Sequence, residues 1–113
     1  MIIVDTNILI DCKNLMEEIK KFSEFGEPVI LDTTIKELEK MNNRKGKLAL
    51  ELIKHYKIKI IKTEEKSTDK GILNIASKND VVATNDINLI KKLKLKGIGV
   101  LRLRQKKYLT LEK

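Results

Sequence analysis

The sequence predicts an α/β fold with a central parallel sheet between helical layers. Three observations carry that expectation. Apolar runs at Ile2-Ile-Val4, Val29-Ile-Leu31 and Val81-Val-Ala83 each lead into Thr, Asn and Asp residues. Continuous apolar runs bounded by turn formers suit strands buried on both faces. Between the runs, apolar residues recur at helical spacing, and strand alternates with helix along the chain. That alternation is the pattern of parallel strands joined by right-handed crossovers. At 113 residues, the chain is expected to form one domain over residues 1–113, with a single core.

The first run ends in Asp5-Thr6-Asn7, which puts Asp5 at the carboxyl end of a strand, where open α/β sheets bind ligands. Ile8 to Ile10 and Leu15 to Phe25 read as helical, with Leu15, Ile19 and Phe22 on one face. Gly26-Glu27-Pro28 stops that helix and opens the second strand. The next helix carries Ile35, Leu38 and Met41 as its apolar stripe. Thr34 with Glu37 has the form of a capping box. Asn42 to Gly46 reads as a basic break, and Lys47 to Tyr56 as helix with Leu48, Leu52 and Tyr56 on one side. Ile58 to Ile61 alternates Ile with Lys, which suits a strand near the sheet edge. Thr63 to Ser67 is a charged loop. Thr68 is placed to cap a helix from Asp69 to Lys78, with Ile72, Leu73 and Ala76 inward. Asn79-Asp80 turns into the third run. Asp86 to Lys94 is helical on Leu89, Ile90 and Leu93, and Gly97 closes it. Ile98 to Leu101 gives the last strand, and the basic tail from Arg102 to Leu111 reads as extended.

Lys and Arg outnumber Asp and Glu by 24 to 16, a net charge of +8 that favours a polyanionic partner, nucleic acid before membrane. The plainer alternative is a solvated basic surface. Aromatic content of 4% with no Trp argues against a base-stacking platform, so binding would rest on phosphate contacts. Candidate contacts are Arg44, Lys45 and Lys47 in one patch and Arg102, Arg104, Lys106 and Lys107 in the tail. No stretch is long enough to span a membrane and no signal peptide is evident. The lone Cys12 leaves no internal disulfide and no cysteine zinc set, so a cytoplasmic location is expected. Cys12 reads as a small buried residue and His55 as a helix-end residue, ahead of any catalytic role.

Set within this basic chain are acids at the strand ends. Asp5, Asp69 and Asp86 each suit a helix N-cap when taken singly. Together they would bring several carboxylates to one edge of the sheet. Glu37 lies inside a helix, about 200° round from Ile35 and flanking the apolar stripe. Glu39 flanks the other side, so spacing does not choose between them. Converging carboxylates repel unless a cation lies among them. All-oxygen ligands suit a hard ion, Mg²⁺ or Mn²⁺. Such an ion keeps several waters, one of which can attack a phosphodiester, and a second ion about 4 Å away can stabilise the leaving oxygen.

Ile2-Ile-Val-Asp5-Thr6-Asn7, Lys36-Glu37-Leu38, Asp69 leading a helix, and Ala83-Thr84-Asn85-Asp86-Ile-Asn-Leu89 together resemble the PIN-domain nucleases. The resemblance covers essentially the whole chain. It implies a three-layer α/β/α sandwich and hydrolysis of RNA with a divalent metal. It also implies that Asp5, Glu37, Asp69 and Asp86 are the catalytic metal ligands, which favours Glu37 over Glu39. Thr6, Asn7, Thr84 and Asn85 become second-sphere or substrate-orienting groups. Asp32 is left as a cap and Asp80 as a turn residue. Where family members often carry two adjacent acids in the middle motif, Lys70 and Gly71 follow Asp69 here. The stretch from Lys96 to Tyr108 is similar to PIN proteins related to small-subunit ribosomal RNA processing nucleases, and the toxin half of VapBC pairs shares the same core. The resemblance therefore implies RNA as substrate, a homodimer, and either an antitoxin protein or a ribosome-assembly partner.

Two other classes fit parts of the sequence. One is a non-catalytic RNA-binding or assembly module that keeps the fold. The intact acidic set favours the enzyme, because a retired site is free to lose mutually repelling acids. The other is a phosphatase or phosphotransfer domain, which a strand followed by Asp-Thr also opens. The haloacid-dehalogenase type needs a second Asp where Asn7 stands, and no glycine-rich phosphate loop is present.

Overall fold

The computed structural model describes residues 1–113. In chain order the elements are β1 (Ile2–Val4), α1 (Thr6–Asp11), α2 (Leu15–Lys20), a 3₁₀ turn (Ser23–Phe25), β2 (Pro28–Leu31), α3 (Asp32–Met41) and α4 (Arg44–His55). Then come β3 (Lys59–Ile61), α5 (Thr68–Ile75), β4 (Val81–Ala83), α6 (Ile87–Leu95), β5 (Gly99–Arg104) and β6 (Tyr108–Glu112). The strands form one sheet in the order β3-β2-β1-β4-β5-β6. The first five are parallel, and β6 returns antiparallel to β5.

β1 sits between β2 and β4, so the chain winds outward one way to β3 and then the other way to β6. The reversal leaves a crevice at the carboxyl ends of β1 and β4, the switch point where such sheets bind ligands. Successive strand residues serve opposite layers. Ile2, Val4, Ile30, Ala83 and Leu101 pack with α1, α2, α3 and α4, whereas Ile3, Val29, Leu31, Val82 and Val100 pack with α5 and α6. Strand interiors buried on both faces explain why those runs read as continuous apolar segments. The result is the expected α/β/α sandwich, with β3 at the sheet edge.

Several local expectations are corrected. The extended tail is a hairpin: Arg102 faces Thr110 and Arg104 faces Tyr108 across β5 and β6. The chain reverses there through left-handed residues Gln105 and Lys106. Helix α4 begins at Arg44, capped by the Asn43 side chain on the Gly46 N–H at 2.9 Å, so the basic break is only Asn42 and Asn43. Its inward face is Gly46, Ala49 and Ile53, while Leu48 and Tyr56 are each 52% exposed. The small residues decide this phase. A Cβ at Gly46 would lie 2.8 Å from the Leu38 carbonyl oxygen, so α4 approaches α3 along its glycine side.

The segment read as one helix from Leu15 to Phe25 ends as α helix at Lys20, followed by the 3₁₀ turn. The capping box is absent because α3 starts two residues before Thr34. Asp32 serves that end instead: its Oδ1 accepts from the Thr33 and Thr63 N–H groups at 2.9 and 3.1 Å. Thr68 is the first residue of α5 and does not cap it, and α5 ends at Ile75, short of Lys78. Asp80 is a turn residue as expected, accepting from Ser77 and from the Met1 amino group.

Glu18 was not singled out by sequence pattern, yet it is buried and fastens β6 to α2. Its Oε1 accepts from the Leu109 N–H at 2.9 Å, and its Oε2 pairs with Lys21 at 2.6 Å. Burial pushes its carboxyl up, but the hydrogen bonds from Lys21 and Leu109 outweigh it and hold the group below the ordinary 4.5. A depressed folded value stabilises the protein above the unfolded one, and that contribution is lost as pH falls below about 4.5. Glu18→Ala should cost about 1–3 kcal/mol at pH 7 by leaving a buried N–H unpaired. The penalty should shrink in melts near pH 3, and Glu18→Gln should recover part of it.

Candidate active site

Val4 pairs with Ala83, so the residues that follow, Asp5 and Thr84, emerge side by side at the switch point. The Thr84 hydroxyl, fully buried, donates to Asp5 Oδ2 at 2.7 Å and accepts from the Asp86 N–H at 3.1 Å. One side chain thus sets two acids relative to each other. Asp5 Oδ1 accepts from the Thr6 N–H at 2.8 Å, capping α1. Asp86 Oδ1 accepts from the Asn88 and Leu89 N–H groups at 3.0 and 3.3 Å, capping α6. Both acids therefore fill the capping role that sequence allowed them, and both still face the crevice.

Burial raises the Asp5 carboxyl above its ordinary value of 3.8. Hydrogen bonds from Thr84 and Thr6 oppose that shift, and the charges of Glu37 and Asp86 add to it. Asp5 thus senses both acidic neighbours across the site.

Glu37 comes from α3, in the first helical layer. Its Oε1 accepts from the Thr6 hydroxyl at 2.7 Å and from the Thr68 hydroxyl, which also lies 2.8 Å from the Thr33 hydroxyl. One carboxylate oxygen therefore ties α1, α3 and α5 together. Asp69 comes from α5, in the second layer. The nearby Ser67 hydroxyl is the main influence holding its carboxyl below 3.8, against some burial and with help from the Lys92 charge.

Asp5, Glu37, Asp69 and Asp86 all line one cleft of about 550 Å³ whose only apolar wall residue is Ile10. Glu39 does not line it, so the fold separates two glutamates that helical spacing could not. Thr6 and Asn7 line the cleft, whereas buried Thr84 and exposed Asn85 are not among its walls. The Asn85 amide accepts from the Leu103 N–H at 2.8 Å and donates to the Leu103 carbonyl at 3.1 Å, fastening the Asp86 loop to β5. The Asn7 amide donates to Asp5 and accepts from the Asn85 N–H, each at 3.4 Å.

A family model described as a PIN-like domain matches residues 2–106. The chain belongs to the PIN-like domain family. It is 41% identical over 93 residues to ribonuclease VapC4 of Methanocaldococcus jannaschii, covering 73% of this chain and 70% of that one. The solved structure of the PIN domain endonuclease Utp24 superposes with a TM-score of 0.75 at 28% identity, over 98% of this chain and 90% of that one. A domain of a functionally unknown protein from M. jannaschii shares the fold, with a TM-score of 0.54 at 21% identity over 91% and 90% of the two chains.

The PIN cleft also holds groups that sequence reading passed over. Its cations are Lys36, Lys40 and Lys66. Arg44, Lys45 and Lys47 lie on the first turn of α4, outside the lining. Arg102 and Arg104 pair with Glu112 at 3.7 and 3.1 Å, and Lys106 and Lys107 sit by the β5–β6 turn. Thr33 at a strand end, Ser67 in the charged loop and Thr68, expected as a helix cap, all line the site. The available signal was Lys36 and Lys40 flanking Glu37 at one-turn spacing.

The donor set of the cleft fits a hard cation in kind. Glu37 Oε2 and Asp86 Oδ2 carry no hydrogen bond from the protein. No three acidic, imidazole or thiol groups lie close enough to hold one ion directly. Mg²⁺ keeps several waters and takes one or two carboxylates, so water-mediated contact suits this spacing.

Proposed function

We propose that this PIN protein is an endoribonuclease that depends on Mg²⁺ or Mn²⁺ held by Asp5, Glu37, Asp69 and Asp86. The observation that carries this reading is the convergence of four acids from four separate segments on one nearly all-polar cleft at the switch point. Relatives named ribonuclease and endonuclease support it. When bound, the cation supplies Lewis acidity, neutralising charge on the phosphodiester and activating water for attack. The chain's own groups preorganise the site. Thr84 and the α1 N-terminus fix Asp5, Thr6 and Thr68 fix Glu37, and the α6 N-terminus fixes Asp86. Asn7 and Asn85 hold the two strand-end loops against each other.

Purified protein is expected to cleave single-stranded RNA with Mn²⁺ or Mg²⁺ and to stop on addition of chelator. Asp86→Asn should remove that activity. Full cleavage in chelator, or by Asp86→Asn, would overturn the assigned site. RNA binding with no cleavage across a broad substrate panel would favour the non-catalytic module. Two biological roles share this chemistry, a VapC-type toxin with an antitoxin partner and a ribosomal RNA processing nuclease with an assembly partner. Growth arrest on expression that depends on Asp5, with a small antitoxin reading frame beside the gene, marks the toxin. In either role a homodimer would extend the basic surface along the RNA.

A further inference from the structure

The cations that face the acidic cleft are not those that cluster in the sequence. Lys36 and Lys40 stand one turn apart on α3, in the first helical layer. Lys66 stands in the loop leading to α5, in the second. All three are exposed. Although the cleft also holds four carboxylates, none of the three lysines forms an ion pair. The five ion pairs of the chain are Met1–Asp80, Lys21–Glu18 and the bonds from Lys94, Arg102 and Arg104 to Glu112. The arginines of β5 are thus already partnered, while the cleft lysines are not. An exposed lysine gains little from pairing with a carboxylate. Lysines that share a cleft with four and pair with none remain available to an incoming anion.

We infer that Lys36, Lys40 and Lys66 contact RNA backbone phosphates on the two sides of the reacting phosphodiester, a role that rests on the nuclease reading of the same cleft. Four carboxylates against three ammonium groups leave the cleft close to neutral, and a divalent cation tips it positive. The strand therefore lies across the acids with the α3 lysines under one flank and Lys66 under the other. No aromatic residue lines the cleft, so the contacts are to phosphate and carry little base preference.

The test is binding of a labelled single-stranded RNA of mixed sequence in Mg²⁺, measured against salt in an Asp86→Asn background. Each phosphate contact on a single strand contributes about 0.7 to the slope of log K against log salt. Lys36→Ala, Lys40→Ala and Lys66→Ala should each lower the slope by about 0.7 and weaken binding about fivefold at 0.1 M salt. Lysine-to-arginine changes should restore both. Arg102→Ala with Arg104→Ala should leave the slope unchanged. Slopes insensitive to the three lysines, or carried by the β5 arginines, would overturn the assignment. Cleavage by the unmodified protein is scored separately. Lysine-dependent binding without cleavage overturns the nuclease reading alone, and cleavage with unaltered slopes overturns the lysine assignment alone.

Discussion

Asp5→Asn is expected to reduce RNA cleavage by at least about 10²–10³-fold, the scale seen when a group that stabilises developing charge is removed. The variant should also be folded and no less stable at pH 7. Asp5 is 8% exposed, and burial raises its carboxyl above 3.8 despite hydrogen bonds from Thr84 and Thr6. A raised folded value means that the fold disfavours the charged form. The destabilisation is full at neutral pH and fades as pH falls through the raised value toward 3.8. Asparagine removes that charge, so its melting temperature should match or exceed the parent's at pH 7. The difference should close in acid. Paired melts and cleavage assays across pH 3–8 give the check. Loss of stability at pH 7 would mean that hydrogen bonds to the carboxylate outweigh its burial. An acid kept where it strains the fold is the usual signature of a group retained for function.

Thr84→Val tests the second support. The substitution keeps the shape of a fully buried side chain and removes the hydroxyl that joins Asp5 to the Asp86 backbone. Leaving the Asp86 N–H without its acceptor should cost about 1–3 kcal/mol. Cleavage should fall about 10–100-fold, as for other groups that orient metal ligands. Because Thr84 does not line the cleft, kcat should fall more than KM rises. Thr84→Ser should recover most of both effects. A valine variant with unaltered kcat would show that Asp5 and Asp86 need no common anchor.

The fold was legible wherever burial on two faces left a continuous apolar run, as in β1, β2 and β4. Reading failed where packing detail overrode periodicity. Leu48, Leu52 and Tyr56 form a good helical stripe, yet the close approach permitted by Gly46 turns Ala49 and Ile53 inward. The β5–β6 hairpin was hidden because its reversal uses positive φ at Gln105 and Lys106, without the Gly or Asn that announces such a turn. In the site, Asp5 and Asp86 were visible as acids at strand ends. Thr34 and Thr68 were misread because each is a good cap by type. The fold directs Thr68 to Glu37 instead and encloses Thr34 in the core, contacts set by the docking of α1, α3 and α5, on which local sequence is silent.

The placement of β1 at the centre of the sheet also imposes an order of events on synthesis. The β4 side of β1 stays unpaired until β4 is made, and the Asp5–Thr84 bond spans 79 positions. Such long-range pairings close late because the intervening chain must first be ordered. The cleft therefore has no complete set of acids until residue 86 has left the ribosome. A nascent chain that has not yet released that residue lacks part of this acidic edge.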